Sequence, residues 1–445
     1  MFEEWLLDDP AALTRADEAG LLLDLASAGA TVRRALRLAG EAGLDQLRPE
    51  GRPRAAFVAG HGTAVLAGEL LAALGGTVCP VVVLGPALAD PAHAPDRPSP
   101  SATPSDLRSD FALSLDWSLP GWAGPSDLLL ILSSSGTEPG LITLAQQAYT
   151  RGCTVVSVAP AGSPLAGATL QVRGLPLPFE AAAGPGEPTP GLERDLPQDP
   201  PSTLWGLLAP MLALADRVGL VSIPFSSLQA AADQLDDVAV RCGPAADTYT
   251  NPAKGLAIQL DGVLPLIWSD SPGTAAVARR FAAMLADEAA RPAVTGMLPE
   301  ALTAQRGLLL GQLGSQTDED DFFRDRTEET DALRYKLLLL RRTPRPAESP
   351  APPGDSAQAP SPAQAQAPSQ PPSQPEPDAA PAPEPRPTPH AVSRAHRLAA
   401  DHQVGIQELT SSHTDALVAL TELVALTDFA AVYLGLASST RPRIH

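Results

Sequence analysis

Five consecutive residues, Ser133-Ser134-Ser135-Gly136-Thr137, gather four hydroxyls around one glycine. They follow the wholly apolar run Leu128–Leu132 and precede Leu141–Tyr149, a stretch of helical composition. A hydroxyl-lined loop that feeds a helix N-terminus offers unpaired amides, a positive dipole end and side-chain donors, a combination that suits a phosphate group. An ordinary strand-to-helix turn capped by serine is the competing reading. Arg151-Gly152 stops the helix and Thr154–Val158 supplies a second strand, so residues 126–158 read as one βαβ unit.

A similar unit precedes it. Arg54–Ala59 begins a strand, Gly60-His61-Gly62-Thr63 is a glycine turn, Ala64–Leu74 is a helix and Cys79–Leu84 a strand. His61 either faces a site or is a plain turn residue. Residues 1–50 read as helices, with Asp8-Asp9-Pro10 able to open one and Leu21–Leu38 apolar at helical spacing. Residues 86–105 read as a surface loop and residues 176–202 as irregular. Ser202–Val218 is a strongly apolar helix and Ser226–Arg241 an amphipathic one. Asn251 and Pro252 cap and open a further helix. Lys254, one of only two lysines, reads as packing its stem at that helix start with its charge in water; sugar binding is the other reading. Leu264–Trp268 and Ala293–Thr295 are strands around the long helix Thr274–Ala290, and Glu328–Arg341 is a strand or a helix.

Residues 344–389 hold about a third of the 49 prolines and too little apolar surface to order, so they read as a disordered linker. Val392–Ala437 becomes helical again, and Leu417–Leu436 is apolar enough to dock on a core. The linker therefore interrupts a domain.

Composition narrows the function. A net charge of −20 argues against nucleic-acid and anionic-membrane partners but not against a small anion held locally. No apolar run approaches the roughly 20 residues of a membrane span in this reading. The acidic start MFEEWLLDDPAAL resembles no leader, which points to the cytoplasm. Cys79, Cys153 and Cys242 read as small buried hydrophobes rather than as a disulfide frame. No metal-ligand spacing occurs, and no cofactor is expected.

Two halves built from βαβ units with Ser/Thr turns resemble tandem sugar isomerase (SIS) domains, and in particular the bifunctional phosphoglucose/phosphomannose isomerase family. That family reads roughly GMGGSAIGGD, SYSGNTEET, NPAKxLAxxLxGxxPVIYG, LNENAKxPA and PELNHNE. The matching stretches are GHGTAVLAGE (Gly60–Glu69), SSSGTEPGL (Ser133–Leu141), NPAKGLAIQLDGVLPLIWS (Asn251–Ser269), LADEAARPA (Leu285–Ala293) and PEALTAQRG (Pro299–Gly307). The resemblance implies an α/β fold of two SIS domains, each a parallel sheet flanked by helices. Their expected extents are a helical cap 1–53, a first domain 54–222, and a second domain 223–343 completed by 390–445 after the 344–389 linker. It also implies a homodimer that binds a sugar phosphate.

The residue-by-residue match is weaker at the chemistry. Aldose–ketose isomerisation needs a base between C1 and C2, help with ring opening, and positive charge for the enediolate. The resemblance places the base at Asp287, with Glu288 beside it, and the phosphate and substrate contacts at Gly62, Thr63, Ser133, Ser135, Gly136 and Thr137. The family's histidine falls at Thr303, its arginine at Pro201, and its final lysine has no counterpart, although Arg441 or Arg443 could supply the charge. Glu138 replaces a threonine of the phosphate turn and would repel an anion unless it points away. Two functions follow as expectations: isomerisation of glucose-6-phosphate or mannose-6-phosphate to fructose-6-phosphate, or a catalytically impaired sugar-phosphate-binding regulatory or partner subunit. A structural dimer with no ligand is a third. Deleting residues 344–389 is expected to leave the melting temperature within about two degrees, because a disordered linker adds no packing; a scanning-calorimetry drop well beyond that would show an ordered segment.

Overall fold

The computed structural model describes residues 2–49, 51–76, 79–88, 115–180, 199–310, 334–342 and 389–438. The insertion 86–105 and the linker 344–389 lie outside these residues except at their edges.

Apolar runs too short for helices and buried on both faces make the sheets. The first sheet has strands β1 (Ala55–Ala59), β2 (Val81–Leu84), β5 (Asp127–Leu132), β6 (Thr154–Pro160) and β7 (Leu175–Phe179) in the order β2-β1-β5-β6-β7. All its pairings are parallel. A two-residue antiparallel pair, β3 (Ala87–Leu88) with β4 (Leu115–Asp116), stands apart. The second sheet orders β8 (Val263–Ser269), β9 (Val294–Met297), β10 (Arg334–Arg342) and β11 (Gly405–Ser411) as β11-β10-β8-β9, again all parallel.

Helices follow the strands. The N-terminal cap is a 3-10 turn, Glu4–Asp8, then α1 (Pro10–Ala16), α2 (Leu21–Ala26) and α3 (Ala28–Glu41). Asp9 caps α1 by accepting from the amides of Ala11 and Ala12. α4 (Thr63–Gly75), α5 (Pro139–Thr150) and α6 (Pro164–Gln171) belong to the first sheet. α7 (Thr203–Arg217) and α8 (Phe225–Cys242) lead to α9 (Pro252–Leu260) and α10 (Pro272–Ala289). Two short helices, α11 (Ala301–Ala304) and α12 (Arg306–Leu310), precede α13 (Pro389–Asp401) and α14 (Ala416–Ala437).

The strand period of two sorts side chains into layers. Ala56, Val58, Leu128 and Leu130 of the first sheet, and Ile267, Leu338 and Leu340 of the second, enter one shared core with α3, α4, α7, α8, α10 and α14. Phe57, Leu129 and Ile131 face α5 and Trp117 on the outer side. Leu266, Trp268, Leu337 and Leu339 face α13 on the other. The order is thus helices, sheet, shared helices, sheet, helices.

Three expectations need correction. Residues 176–202 are not irregular throughout, because Leu175–Phe179 pairs with β6 as an edge strand, a position that tolerates its prolines. The interval Val392–Ala437 is not all helical, because Gly405–Ser411 pairs with β10 at the other sheet's edge. One apolar run does reach membrane length: α14 has 22 residues and a most apolar window of mean hydropathy 1.8, but 89% of that window is buried inside the protein. A helix apolar all round is the expected centre of a shared core.

A buried ion pair lies in that core. Arg280 on α10 donates to both oxygens of Asp428 on α14 at 2.7–2.9 Å and to the Pro201 carbonyl at 3.0 Å. Neighbouring Ser202 donates its amide to Asp24 at 2.8 Å and its hydroxyl at 2.5 Å, which ties α2 to the same point. Breaking a buried pair from one side costs about 3–5 kcal/mol. Arg280→Met is therefore expected to lower urea-measured stability by about that amount, and Arg280→Met with Asp428→Leu by clearly less.

Candidate functional site

The first sheet changes winding direction between β1 and β5. From β1 the chain runs through α4 to β2 on one side, and from β5 through α5 to β6 on the other. α4 and α5 cover opposite faces, so a crevice opens at the carboxyl ends of these two strands, where open α/β sheets bind ligands. The strand ends meet closely. A Cβ on Gly60 would fall 2.7 Å from the Leu132 carbonyl oxygen, and Trp117 Nε1 donates to the Gly60 carbonyl at 3.1 Å. This contact brings the His61 turn against the 133–138 turn.

The turn after β5 is built from its own hydroxyls. The Ser133 amide donates to the Val158 carbonyl at 3.0 Å, which anchors the turn to β6. Ser133 Oγ accepts from the Gly136 amide at 2.6 Å and donates to Glu138 Oε2 at 2.7 Å. Ser135 Oγ accepts from the Thr137 amide at 3.2 Å and donates to Glu138 Oε1 at 2.8 Å. With that proton committed, the Thr137 hydroxyl is the donor in its 2.9 Å contact with Ser135. Gly136 has φ +67°, and a Cβ there would fall 2.4 Å from Ser163 Oγ, so a glycine is required.

His61 closes the set from the other strand, with Nε2 3.0 Å from Glu138 Oε1. Their side chains are 27% and 14% exposed, so the pair is accessible without being fully solvated. Burial alone would raise the Glu138 carboxyl. The hydrogen bonds from His61, Ser133 and Ser135 outweigh it and bring the carboxyl down to about 2. The Glu138 hydrogen bond raises the imidazole, burial works against it, and the Glu138 and Asp199 charges add to the rise. At the equivalent crevice between β8 and β10, Thr274 donates to Asp270 at 3.1 Å and Arg341 pairs with Glu408 at 2.8 Å.

Comparison with known proteins identifies this arrangement. Residues 249–350 match the family described as bacterial phospho-glucose isomerase C-terminal SIS domain. No curated protein matches the chain. Among solved structures, a candidate phosphosugar isomerase from Silicibacter pomeroyi DSS-3 aligns with TM-score 0.52 and 16% identity over 94% of this chain and 97% of that one. The C-terminal domain of glucosamine-fructose-6-phosphate aminotransferase from Francisella tularensis gives 0.52 and 10% over 94% and 96%. Tagatose-6-phosphate ketose/aldose isomerase from Escherichia coli gives 0.50 and 11% over 94% and 90%. At these identities the likeness is one of fold.

The chain has the SIS fold, and its residues 249–350 are related to the C-terminal SIS domain of bacterial phosphoglucose isomerase. Its two parallel sheets are the tandem SIS arrangement.

Within this SIS scaffold, Ser133, Ser135, Gly136 and Thr137 form one turn, and Gly62 and Thr63 start α4 beside His61. Asp287 and Glu288 lie elsewhere, in the last turn of α10. That helix leaves the carboxyl end of β8 and runs back, so its last turn lies towards the amino end of the second sheet. The Glu288 carbonyl packs against α14, 2.2 Å from where a Cβ on Gly435 would stand. Among the described residues, none of the hydrogen bonds that knit the turn goes to either acid. Thr303 is exposed on α11 and donates to the Glu300 carbonyl at 2.9 Å. Lys254 is corrected: its charge is not in water. Nζ is buried and donates to the carbonyls of Leu7, Pro244 and Ala246 at 2.6–2.9 Å, which also removes it from sugar binding.

Sequence reasoning weighed His61 as facing the site or as a plain turn residue and Glu138 as an obstacle to an anion, and named neither among the candidate contacts. Their signal was positional: each sits in the turn directly after one of two strands that become neighbours. The pair predicts a pH signature. Glu138, lowered from 4.5 to about 2, stabilises the fold fully above 4.5 and loses that contribution as pH falls through the lower value. The raised His61 contributes fully below 6.5 and loses its part as pH rises through its folded pKa. The stability lost in Glu138→Gln is therefore expected to peak between pH 4.5 and 6.5, at about 2–3 kcal/mol, read by urea denaturation across pH.

Proposed function

We propose that this SIS protein binds a hexose 6-phosphate of the glucose, mannose and fructose series at the crevice between β1 and β5, as a sugar-phosphate-binding regulatory or partner subunit without ordinary turnover. The supporting observation is the set of donors around Glu138. Two serine hydroxyls and an imidazole converge on one carboxylate, the charge-assisted arrangement an anionic oxygen group requires. Gly62, Thr63, Gly136 and Thr137 complete the ligand contacts in this reading. The protein acts as a cytoplasmic homodimer, and the 344–389 segment serves as a tether to a partner.

The acid–base groups argue against fast isomerisation. An efficient base has a pKa near the working pH, and a carboxyl held at about 2 is far below it. Thr303 cannot trade protons near neutrality, and Asp287 and Glu288 sit at the end of α10. One observation favours the second reading, an active isomerase of glucose-6-phosphate or mannose-6-phosphate to fructose-6-phosphate. His61, oriented by a carboxylate, supplies an imidazole that could assist ring opening where the family's histidine is missing. Asp287 or Glu288 would then be the base.

A coupled assay with fructose-6-phosphate, run beside thermal shift with the same ligand, separates the two. Stabilisation by ligand with turnover below about 0.1 per second, well under ordinary enzymes, is expected. Ser133→Ala with Ser135→Ala should abolish that stabilisation. Faster turnover that disappears in Asp287→Asn or Glu288→Gln would establish the isomerase instead.

A further inference from the structure

We propose that Glu138 is a built-in occupant of the anion site formed by the 133–137 turn, and that a ligand's phosphate enters by displacing its carboxylate. The inference rests on the reading of that turn as the phosphate site and adds what controls it. Each serine hydroxyl has one proton to give, and both are committed: Ser133 to Oε2 at 2.7 Å and Ser135 to Oε1 at 2.8 Å. His61 Nε2 lies 3.0 Å from Oε1 and makes the third contact. The Gly136 and Thr137 amides are turned inward onto the same serines. The turn thus already has an oxyanion, and it is one of the chain's own.

A phosphate cannot simply join this arrangement. It would find the hydroxyl protons taken and an ionised carboxylate within hydrogen-bonding reach of the same donors. It can replace it. A phosphate presents more oxygens and more charge to the same two hydroxyls and imidazole, so the exchange keeps every donor paired. Release of Glu138 leaves the helix start intact. Glu138 is the residue before α5, and its side chain makes no capping bond to that helix. The side chains of Glu138 and His61 are partly exposed, so a path to water exists. Glu138 therefore weakens every ligand whose phosphate enters the turn by one common factor, the cost of its own displacement, and a sugar phosphate overcomes that cost through the further contacts of its sugar.

Isothermal titration of the full chain with inorganic phosphate and with fructose-6-phosphate tests this in wild type, Glu138→Gln and Glu138→Asp. Glutamine keeps the shape but not the charge. Aspartate is one methylene shorter and cannot span His61 and both serines. Both variants are expected to bind inorganic phosphate and fructose-6-phosphate at least about tenfold more tightly than wild type, by a similar factor for each. Adding Ser133→Ala to Glu138→Gln should remove the gain. If wild type binds fructose-6-phosphate and neither variant binds phosphate better, the turn is a phosphate site but Glu138 is not its competitor, and the inference falls alone. If no protein binds either ligand, the reading of the turn fails and takes the inference with it. Should Glu138→Gln not fold, the aspartate variant decides.

Discussion

Arg280 carries a positive charge into the helical layer that both sheets share. Its side chain is 7% exposed and that of Asp428 only 1%. A guanidinium so placed must have its donors met, and the two groups that meet them, the Asp428 carboxylate and the Pro201 carbonyl, come from different parts of the chain. Asp428 fixes α14 against α10. The Pro201 carbonyl fixes the start of α7, and through Ser202 and Asp24 also α2. Burial raises the Asp428 carboxyl, and Arg280 offsets only part of that rise. The interaction sets how the helices register, whereas the apolar faces around it supply the driving force for burial.

That registry reaches the candidate site through α4. Glu69 on α4 pairs with Arg279, the neighbour of Arg280, at 2.8 Å. α4 starts at Gly62 and Thr63, beside His61, so the shared layer and the crevice are connected by one helix. The crevice itself depends on close backbone approach: Gly60 against Leu132, and Gly136 against Ser163. A side chain at Gly60 would separate the turns that carry His61 and Glu138, and one at Gly136 would push the Glu138 turn off Ser163.

Much of the fold was legible because buried parallel strands announce themselves as short apolar runs. Leu128–Leu132 and Thr154–Val158 lie within β5 and β6, and Asn251 caps α9 through the amides of Ala253 and Lys254. The edge strands were not legible. β7, LPLPF, carries two prolines, and β11, GIQELTS, is largely polar; each pairs on one side only, which relaxes the apolar requirement. The hydroxyl turn between strand and helix was legible, but the direction of Glu138 was not. A carboxylate beside such a turn can point out or in, and the choice rests on His61, which comes from a strand over seventy residues earlier. Lys254 failed for a similar reason. Its three carbonyl partners include Leu7, which sequence spacing cannot bring near.

α14 has a consequence for how the protein is made. It packs on α8, α9 and α10, lies at the centre of the shared core, and is synthesised after both sheets. Until it leaves the ribosome, the inward faces of two parallel sheets and several helices lack their main apolar cover. Cotranslational folding can therefore finish the outer face of the first sheet, where Trp117 and α5 are already present, but not the shared layer. The nascent chain spends the whole synthesis of the Pro-rich segment with that surface uncovered. Chains with such late, non-local closure fold slowly and expose apolar surface in their intermediates, so the order of synthesis, and not only the final packing, bears on how this fold is reached.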